Sequence, residues 1–194
     1  MTVAIVKYNA GNTASVANAL RRVGVEPVIT NDADTLRLAD RVIFPGVGEA
    51  SSAMSYLREG RLDDLIRSLT QPVLGICLGM QLLCAYSEEN DTQCLGLAPY
   101  PVKRFTDRNL KVPHIGWNSI MNLRGPLFDG VPESSHVYFV HGYYAEPGEF
   151  TTAECSYGPN FSAAIEFGNF YAVQFHPEKS GAVGEKILRN FLSL

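Results

Sequence analysis

The sequence predicts an α/β fold: an open, mostly parallel, twisted sheet with helices on both faces, whose second half is richer in strands. Short apolar runs alternate with helical patterns through the first half, which is the rhythm of parallel strands joined by crossover helices. Glycine-rich turns follow two of these runs, at the carboxyl ends of the predicted strands, where open sheets bind their ligands. With 194 residues and 46% hydrophobic content, the chain can bury one substantial core, so we expect residues 1–194 to form a single domain.

The elements of the first half follow from apolar runs bounded by turn residues. Gly11 and Asn12 turn the chain after the first run, and Asn12 with Thr13 caps the helix that follows. The predicted elements are a strand at 3–7, a helix to about residue 23, strands at 25–29 and 41–44, helical segments to about residue 69, a strand ending at 72–74 and a helix at 78–85.

The second half contains more β-branched and aromatic residues, which favour strands. Strands are predicted at 102–105, 137–140, 151–157, 163–167 and 171–174, followed by a closing helix at about 183–192.

Composition excludes several classes of function. A net charge of −4 and the absence of a Lys/Arg-rich run argue against binding to nucleic acid or to a membrane surface. The four cysteines form no C-x-x-C pair, so neither a metal site nor a disulfide framework is expected, and a reducing cytoplasm is the natural location. The apolar N-terminus lacks a basic leader and is expected to be the first strand rather than a signal peptide.

Cys77 is the strongest candidate for a catalytic residue. It stands between Gly75 and Gly79, where an apolar strand turns into a helix, as in a nucleophile elbow. A thiol at a helix N-terminus is favoured as thiolate, and the backbone N–H of Leu78 would face an oxyanion forming on a bound acyl carbon. The alternative is a buried structural cysteine, which is what most free cysteines are.

His176 and Glu178 supply the partners that such a nucleophile needs. They follow an apolar strand, and on an extended backbone residues two apart point to the same side. Pro177 stiffens the link between them. A cysteine nucleophile, a histidine base and an acidic residue that orients the base make up a triad for acyl transfer.

Pro45-Gly46-Val47-Gly48 forms the other glycine-rich turn, one strand away from Cys77. Such residues commonly make an ordinary turn. At this place the turn can instead offer the Val47 N–H as a second oxyanion donor, and glycine flexibility would let that N–H be misaligned at rest.

These motifs together resemble the class I glutamine amidotransferases, which hydrolyse glutamine and pass the ammonia to a synthase. The resemblance covers nearly the whole chain and implies a flavodoxin-like sheet. Within the family, the chain is most similar to the glutaminase subunits of imidazole glycerol phosphate synthases. The segments that carry this similarity are 45–48, 77–81, 111–118, 138–141 and 176–180, with Met80 and the Pro-His-Ile-Gly-Trp-Asn block the most specific.

The resemblance implies a role for each matching residue. Cys77 would attack the glutamine carboxamide, His176 would transfer the proton, and Glu178 would orient His176. Val47 and Leu78 would bind the oxyanion. The residues implied in substrate binding are Gly46, Gln81, Glu89, Val140, His141 and Gly142. Gly142 departs from the small hydroxyl residue that the family pattern leads us to expect, which leaves only a backbone contact there. Glu89 lies in an acidic run, and such runs usually face solvent.

The resemblance also implies a partner, a (β/α)8-barrel cyclase subunit in a heterodimer, and no cofactor or metal. Asn12, Trp117, Tyr138 and Lys179 would lie on the interface, although such residues more often have roles in the fold or on the surface. His114, His136 and His141 are expected to pack in the core or face solvent, because no carboxylate follows them at strand spacing.

Three other functions stay open at this point. The chain could serve another synthase, such as one for anthranilate, aminodeoxychorismate or pyridoxal phosphate. A cysteine peptidase or esterase on a similar sheet would share the elbow, but it would act on peptides or esters. The third possibility is a catalytically inactive regulatory subunit, and the intact cysteine, histidine and glutamate argue against it.

Overall fold

The computed structural model describes all 194 residues as thirteen strands, six α-helices and two short 3-10 helices at Pro126–Phe128 and Pro177–Lys179. The strands are β1 (Val3–Val6), β2 (Val28–Thr30), β3 (Arg41–Gly46), β4 (Val73–Cys77), β5 (Cys84–Ser87), β6 (Thr92–Gln93), β7 (Ala98–Arg104), β8 (His114–Ser119), β9 (His136–His141), β10 (Tyr143–Ala145), β11 (Thr151–Ser156), β12 (Asn160–Phe167) and β13 (Phe170–Val173). The helices are α1 (Thr13–Arg22), α2 (Ala33–Leu38), α3 (Ala50–Glu59), α4 (Leu62–Ser68), α5 (Leu78–Leu83) and α6 (Gly181–Leu192).

A seven-stranded sheet in the order β11-β12-β13-β4-β3-β1-β2 forms the centre of the molecule. The five strands from β13 to β2 are parallel, and β12 and β11 add an antiparallel edge. This confirms the expected open, mostly parallel sheet. Since β4 lies between β3 and β13, the segments that follow these three strands meet at one edge of the sheet.

Two smaller sheets complete the second half. One has the order β10-β7-β5-β6, and the other is the antiparallel pair β8-β9. The expectation that the second half is richer in strands is therefore confirmed.

Helices cover both faces of the central sheet, as expected, and each face has its own core. On one face α2 to α5 pack over the sheet around Phe44, Met54 and Leu57. On the other face α1 and α6 pack over it around Leu20 and Phe191. No helix of the chain has the length and apolar character needed to cross a membrane.

Several predicted boundaries were wrong. Strand β4 begins at Val73 and ends at Cys77, whereas the sequence predicted its end at 72–74, and β7 begins at Ala98 and not at residue 102. The second strand begins at Val28 and not at residue 25, because the Val25 N–H bonds the Leu20 carbonyl at 2.9 Å and closes the end of α1. Gly24, with φ of +91°, allows that closure. The helix after Cys77 ends at Leu83 and not at residue 85, because Cys84 begins β5.

Several short elements were not predicted, namely α2, β5, β6, β8 and β10. The strongest signal among them belongs to α2, where the Asp32 carboxylate accepts from the Thr35 N–H at 2.8 Å as an N-cap. The apolar side chains of Ile115 and Trp117 in β8 are each 56% exposed, so the strand lacks the apolar-in, polar-out alternation that would indicate it.

Candidate active site

Cys77 ends the central strand β4 and immediately precedes α5. Its backbone has φ of 54° and ψ of −110°, a conformation that non-glycine residues rarely adopt. Strain of this kind typically costs on the order of 1–3 kcal/mol and persists only where the surrounding fold imposes it. The sharp turn predicted at Cys77 is therefore present, and it presents the thiol at the carboxyl edge of the sheet.

The turn depends on the close approach of α5 to β3. A Cβ atom placed on Gly79 would overlap the Phe44 carbonyl oxygen, so only glycine fits at this position. Gly46 lies against the same helix, where a Cβ would stand 2.8 Å from the Leu78 Cβ. The glycines that flank the cysteine and end β3 thus let the helix start directly beneath the nucleophile.

His176 and Glu178 form a buried pair beside Cys77. His176 Nδ1 lies 2.7 Å from Glu178 Oε1, and both side chains are 1% exposed. Burial alone would lower the pKa of His176, but hydrogen bonding and charge from Cys77 and Glu178 outweigh it and raise that pKa to about 10. His176 Nε2 is buried and makes no hydrogen bond within the protein. The pair therefore favours a protonated His176 beside Cys77.

Backbone contacts hold the histidine in place. The Ser180 hydroxyl donates to the His176 carbonyl at 2.6 Å and accepts from the Tyr138 N–H at 3.0 Å. The His176 N–H donates to the Tyr138 carbonyl at 2.9 Å. The short helix that contains Glu178 is thus fixed to β9.

A pocket of about 270 Å³ opens above the cysteine. Most of the residues that the sequence assigned to substrate or oxyanion line it; the complete lining is Val47, Gly48, Cys77, Leu78, Gln81, Glu89, Val140, His141, Gly142 and Tyr143. Gly46, which the sequence also assigned to the pocket wall, is not part of this lining and packs behind the elbow.

The two oxyanion candidates differ in their contacts. Leu78 is the first residue of α5, and the first N–H groups of a helix have no partner within the helix. The Val47 N–H instead donates to the Ala10 carbonyl at 2.5 Å. In this structure Val47 is therefore not available as an oxyanion donor.

Gln81 and Glu89 contribute polar groups to the pocket. Gln81 Nε2 donates to the Tyr143 carbonyl and to Gln174 Oε1, each at 3.0 Å, which leaves its own carbonyl oxygen as the group available to a ligand. Glu89 Oε2 accepts from the Ala50 N–H at 2.8 Å, and burial raises the pKa of its carboxyl. The acidic run therefore does not place Glu89 in solvent.

His114 and His141 lie in the core, as expected, whereas His136 is exposed. His114 stacks on Tyr157 with a centroid distance of 3.9 Å, and its Nδ1 lies 3.1 Å from His141 Nε2. Burial lowers the pKa of His114 to about 4 and that of His141 to about 3. Both rings are therefore neutral at pH 7, and His141 also lines the pocket.

Three of the four predicted interface residues lie together. Trp117 contacts Tyr138 edge to face with ring centroids 6.1 Å apart, and Lys179 Nζ lies 5.7 Å from the Tyr138 ring centroid. Ile115 and Trp117 expose apolar surface on the same face of β8. Asn12 lies elsewhere in the chain as the N-cap of α1, two residues after Ala10.

Sequence reasoning missed four residues at the site. Gly48 and Tyr143 line the pocket, Ala10 binds the Val47 N–H, and Gln174 contacts Cys77. Only Gln174 had a recognisable signal, since it is a polar residue inside a strand that the apolar pattern buries. No group of three or more His, Cys, Asp or Glu side chains lies close enough to hold a metal ion.

The chain is similar to known proteins over nearly its whole length. Residues 4–194 match the family described as "Glutamine amidotransferase class-I". The chain is 56% identical to the "Imidazole glycerol phosphate synthase subunit HisH" of Bacteroides fragilis and 47% identical to the protein of the same name from Escherichia coli. In both cases the alignment covers all of each chain.

Solved structures with lower sequence identity share the fold. The chain superposes on a crystal structure described as glutamine amidotransferase with a TM-score of 0.77 at 21% identity, covering 100% of this chain and 98% of the other. A glutamine amidotransferase from Thermotoga maritima gives a TM-score of 0.64 at 18% identity, covering 100% of this chain and 83% of the other.

Proposed function

The chain belongs to the class I glutamine amidotransferase family, and we propose that it is the glutaminase subunit of an imidazole glycerol phosphate synthase. It hydrolyses L-glutamine and supplies the ammonia to a cyclase subunit. The cyclase combines that ammonia with a phosphoribulosyl-formimino-aminoimidazole carboxamide ribonucleotide. The products are imidazole glycerol phosphate and aminoimidazole carboxamide ribonucleotide, as in histidine biosynthesis. Full-length identity of 47–56% to subunits of that name supports this assignment.

Acylation begins with Cys77. The Cys77 thiolate attacks the carboxamide carbon of glutamine, and the Leu78 N–H stabilises the negative charge that forms on the carboxamide oxygen. His176, protonated by virtue of its raised pKa, donates its proton to the departing nitrogen. Ammonia leaves, and a γ-glutamyl thioester remains on Cys77.

Deacylation uses the same residues in reverse roles. His176, now neutral, accepts a proton from water, and the hydroxide attacks the thioester carbon. The C–S bond breaks, glutamate is released, and Cys77 returns to the thiolate beside a protonated His176. The 2.7 Å bond from Glu178 keeps Nδ1 occupied, so Nε2 is the nitrogen that transfers the proton.

Gln81 and Glu89 bind the amino-acid end of glutamine. Both the Gln81 carbonyl oxygen and the Glu89 carboxylate are hydrogen-bond acceptors, which suits the substrate ammonium. Val140, His141 and Gly142 form the opposite wall, and a serine at position 142 would meet only Val112 Cγ1, at 3.7 Å from its Cβ. The glycine found here therefore reflects no lack of space.

The partner is a (β/α)8-barrel cyclase, which binds the face that contains Trp117, Tyr138 and Lys179. The exposed aromatic and aliphatic side chains of β8 support this assignment, because aromatic residues are enriched in the buried centre of interfaces. The four cysteines are all unpaired, which supports the reducing cytoplasm as the location of the complex.

Partner binding turns on the glutaminase through residues 8–12. The Tyr8 hydroxyl donates to the Pro45 carbonyl at 2.7 Å, and the Ala10 carbonyl accepts from the Val47 N–H. Asn12, which we place on the interface, follows directly. Docking at Asn12 would shift this segment and release the Val47 N–H, which then joins Leu78 as the second oxyanion donor.

The observation that carries the proposal is a strained Cys77 that lines the pocket, with the buried His176–Glu178 pair beside it and behind the pocket lining. The test is Cys77→Ser in the complex with the cyclase. We expect complete loss of glutamine-dependent synthesis, while synthesis from added ammonium salt stays at the wild-type rate. Loss of both activities in a folded complex would contradict the assignment, because Cys77 would then not be confined to ammonia production.

A further inference from the structure

Gln174 is a fully buried polar residue that the catalytic steps described above do not use. It lies between the last residue of β13 and His176, with 0% of its surface exposed. Its Nε2 contacts Cys77 Sγ at 3.7 Å, and its Oε1 accepts from Gln81 Nε2 at 3.0 Å. One side chain thus joins the nucleophile to a substrate-binding residue.

The direction of these hydrogen bonds is fixed by a backbone carbonyl. Since the Tyr143 carbonyl can only accept, the end of Gln81 that faces it must be the amino group. That same amino group faces the near end of the Gln174 amide, which must therefore be the oxygen. The far end of Gln174 is then its amino group, which can only donate to the sulfur of Cys77.

His141, one ring of a buried histidine pair, also donates to the Tyr143 carbonyl. His141 Nδ1 lies 2.8 Å from the Tyr143 carbonyl, so it carries the proton and His141 Nε2 accepts from His114 Nδ1. Both rings are buried and neutral. The Tyr143 carbonyl is therefore an acceptor shared by two buried donors, His141 and Gln81, which makes its position rigid.

We propose that Gln174 is a positioning residue for the glutaminase reaction, which holds Cys77 Sγ in its attacking position by donating an N–H and couples it to Gln81 through the same amide. An N–H donor stabilises the thiolate over the thiol, because the negative sulfur is the stronger acceptor. The Cys77 thiol can donate to the Val140 carbonyl at 3.7 Å, and ionisation removes that bond. Gln174 is then the neutral donor that remains on the sulfur.

This inference rests on the proposed function only where it concerns the rate of glutamine hydrolysis. The reactivity of the Cys77 thiolate can be measured without glutamine, by the rate at which iodoacetamide alkylates it. The thiolate displaces iodide from the reagent, and mass spectrometry of the peptide that contains Cys77 separates it from the other three cysteines. A chain without glutaminase activity would defeat the proposed function and still leave this test intact.

The variant is Gln174→Met, which keeps the length of the side chain and removes the donor. We expect alkylation of Cys77 to slow by about tenfold, the usual effect of one hydrogen bond to a charged group. For the complex with the cyclase and its nucleotide ligand, kcat should fall by a similar factor. KM should rise less, because Gln81 keeps its bond to Tyr143.

Gln71→Met is the matched control. The side-chain amide of Gln71 is also hydrogen-bonded within the protein, since its Nε2 donates to the Leu36 carbonyl at 2.7 Å. Gln71 lies before β4 and is not part of the pocket lining. It should lower stability and leave alkylation of Cys77 and kcat unchanged. If Gln174→Met does not fold, Gln174→Asn, whose amide is too short to reach both partners, is measured in the same way. Alkylation within about twofold of wild type in the folded variant would overturn the proposal, whatever happens to kcat.

Discussion

The two sides of the pocket differ in how completely the isolated chain forms them. On the side of the elbow, hydrogen bonds connect Cys77, Gln174 and Gln81, and His176 is paired with Glu178. On the side of the glycine turn, the Val47 N–H bonds the Ala10 carbonyl instead of facing the cavity, and the Val47 side chain is 38% exposed.

This difference assigns separate tasks to the two sides. The elbow is held by the central sheet and by buried polar contacts, so Cys77 and His176, the proposed nucleophile and base, are in place in the isolated chain. At the turn, the Val47 N–H is occupied by the Ala10 carbonyl, and in the proposed mechanism the movement of this one peptide group supplies the second oxyanion donor. Such an arrangement lets a second subunit control turnover without disturbing the nucleophile.

The largest expected effect is on the elbow side of the pocket, which the isolated chain forms completely. His176→Ala should lower kcat by at least about 10²- to 10⁴-fold, the usual contribution of general acid–base catalysis. Glu178→Gln should cost less, because the glutamate orients the base and does not itself transfer the proton. Both are measured as glutamine hydrolysis in the complex with the liganded cyclase.

The exposed His136 provides the control for this series, and His136→Ala should leave turnover unchanged. If His176→Ala kept near-normal turnover while His114→Ala or His141→Ala lost it, the base would have been wrongly assigned. The elbow side of the pocket would then not contain the catalytic base.

A smaller effect concerns Glu89, which lines the pocket beside the glycine turn. Glu89→Gln removes a charge from the pocket but keeps an oxygen for the Ala50 N–H, which lies just after the glycine turn. We expect KM for glutamine to rise about tenfold with kcat nearly constant, because binding to the ammonium is equal in the ground and transition states.

The neighbouring Glu88 is a matched control, since its carboxylate accepts from the Arg104 N–H outside the pocket. Glu88→Gln should leave KM unchanged. Equal KM values for the two variants would remove Glu89 from the substrate site. A fall in kcat with constant KM would instead show that Glu89 acts through the turn.

The smallest expected effect is on stability in acid. The unfolded chain binds protons at His114 and His141 below a pKa of about 6.5, whereas the folded pKa values are lowered to about 4 and about 3. The stability that these two neutral histidines contribute should therefore be fully present above pH 6.5 and decrease toward pH 4, by about 1.4 kcal/mol per pH unit for each histidine. His176, whose folded pKa is raised, stays protonated in the folded chain while the unfolded chain begins to lose that proton near its ordinary pKa of about 6.5, so His176 opposes this slope at the upper end of the range.

The variant His114→Phe keeps an aromatic ring against Tyr157 and removes one of the two histidines that take up a proton on unfolding. Urea unfolding between about pH 4.5 and about pH 6.5 should give a slope smaller by about 1.4 kcal/mol per pH unit than that of the wild type. Equal slopes would mean that His114 has the same pKa in the folded and unfolded chains, so that it binds a proton in the folded protein at acid pH as readily as in the unfolded one. The tautomers assigned to the histidine pair would then be wrong.

The elbow and the triad pair could be predicted because their signals are local. Gly79 contacts the Phe44 carbonyl too closely for any side chain, and Glu178 follows His176 at strand spacing, so residue type and interval were sufficient. The fold class followed in the same way from the alternating first half. The roles of these residues in catalysis stay predictions until the variants are measured.

The remaining features depend on contacts between distant segments. The Ala10 carbonyl meets Val47 only once β1 and β3 lie side by side, and Gln174 reaches Cys77 only across two paired strands. Strand β8 was missed because Ile115 and Trp117 place apolar side chains on its exposed face. The surface that we assign to a partner therefore obscured the pattern that would have indicated the strand.

The most direct test of this account compares kcat and KM for glutamine in the isolated chain and in the complex with the cyclase bound to its nucleotide ligand. If the Val47 N–H is released by the partner, kcat should rise by about 10²- to 10³-fold with little change in KM, because the new donor acts on charge present only in the transition state. Full activity of the isolated chain, or activation confined to KM, would contradict the account and leave the assignment of Cys77, His176 and Glu178 intact.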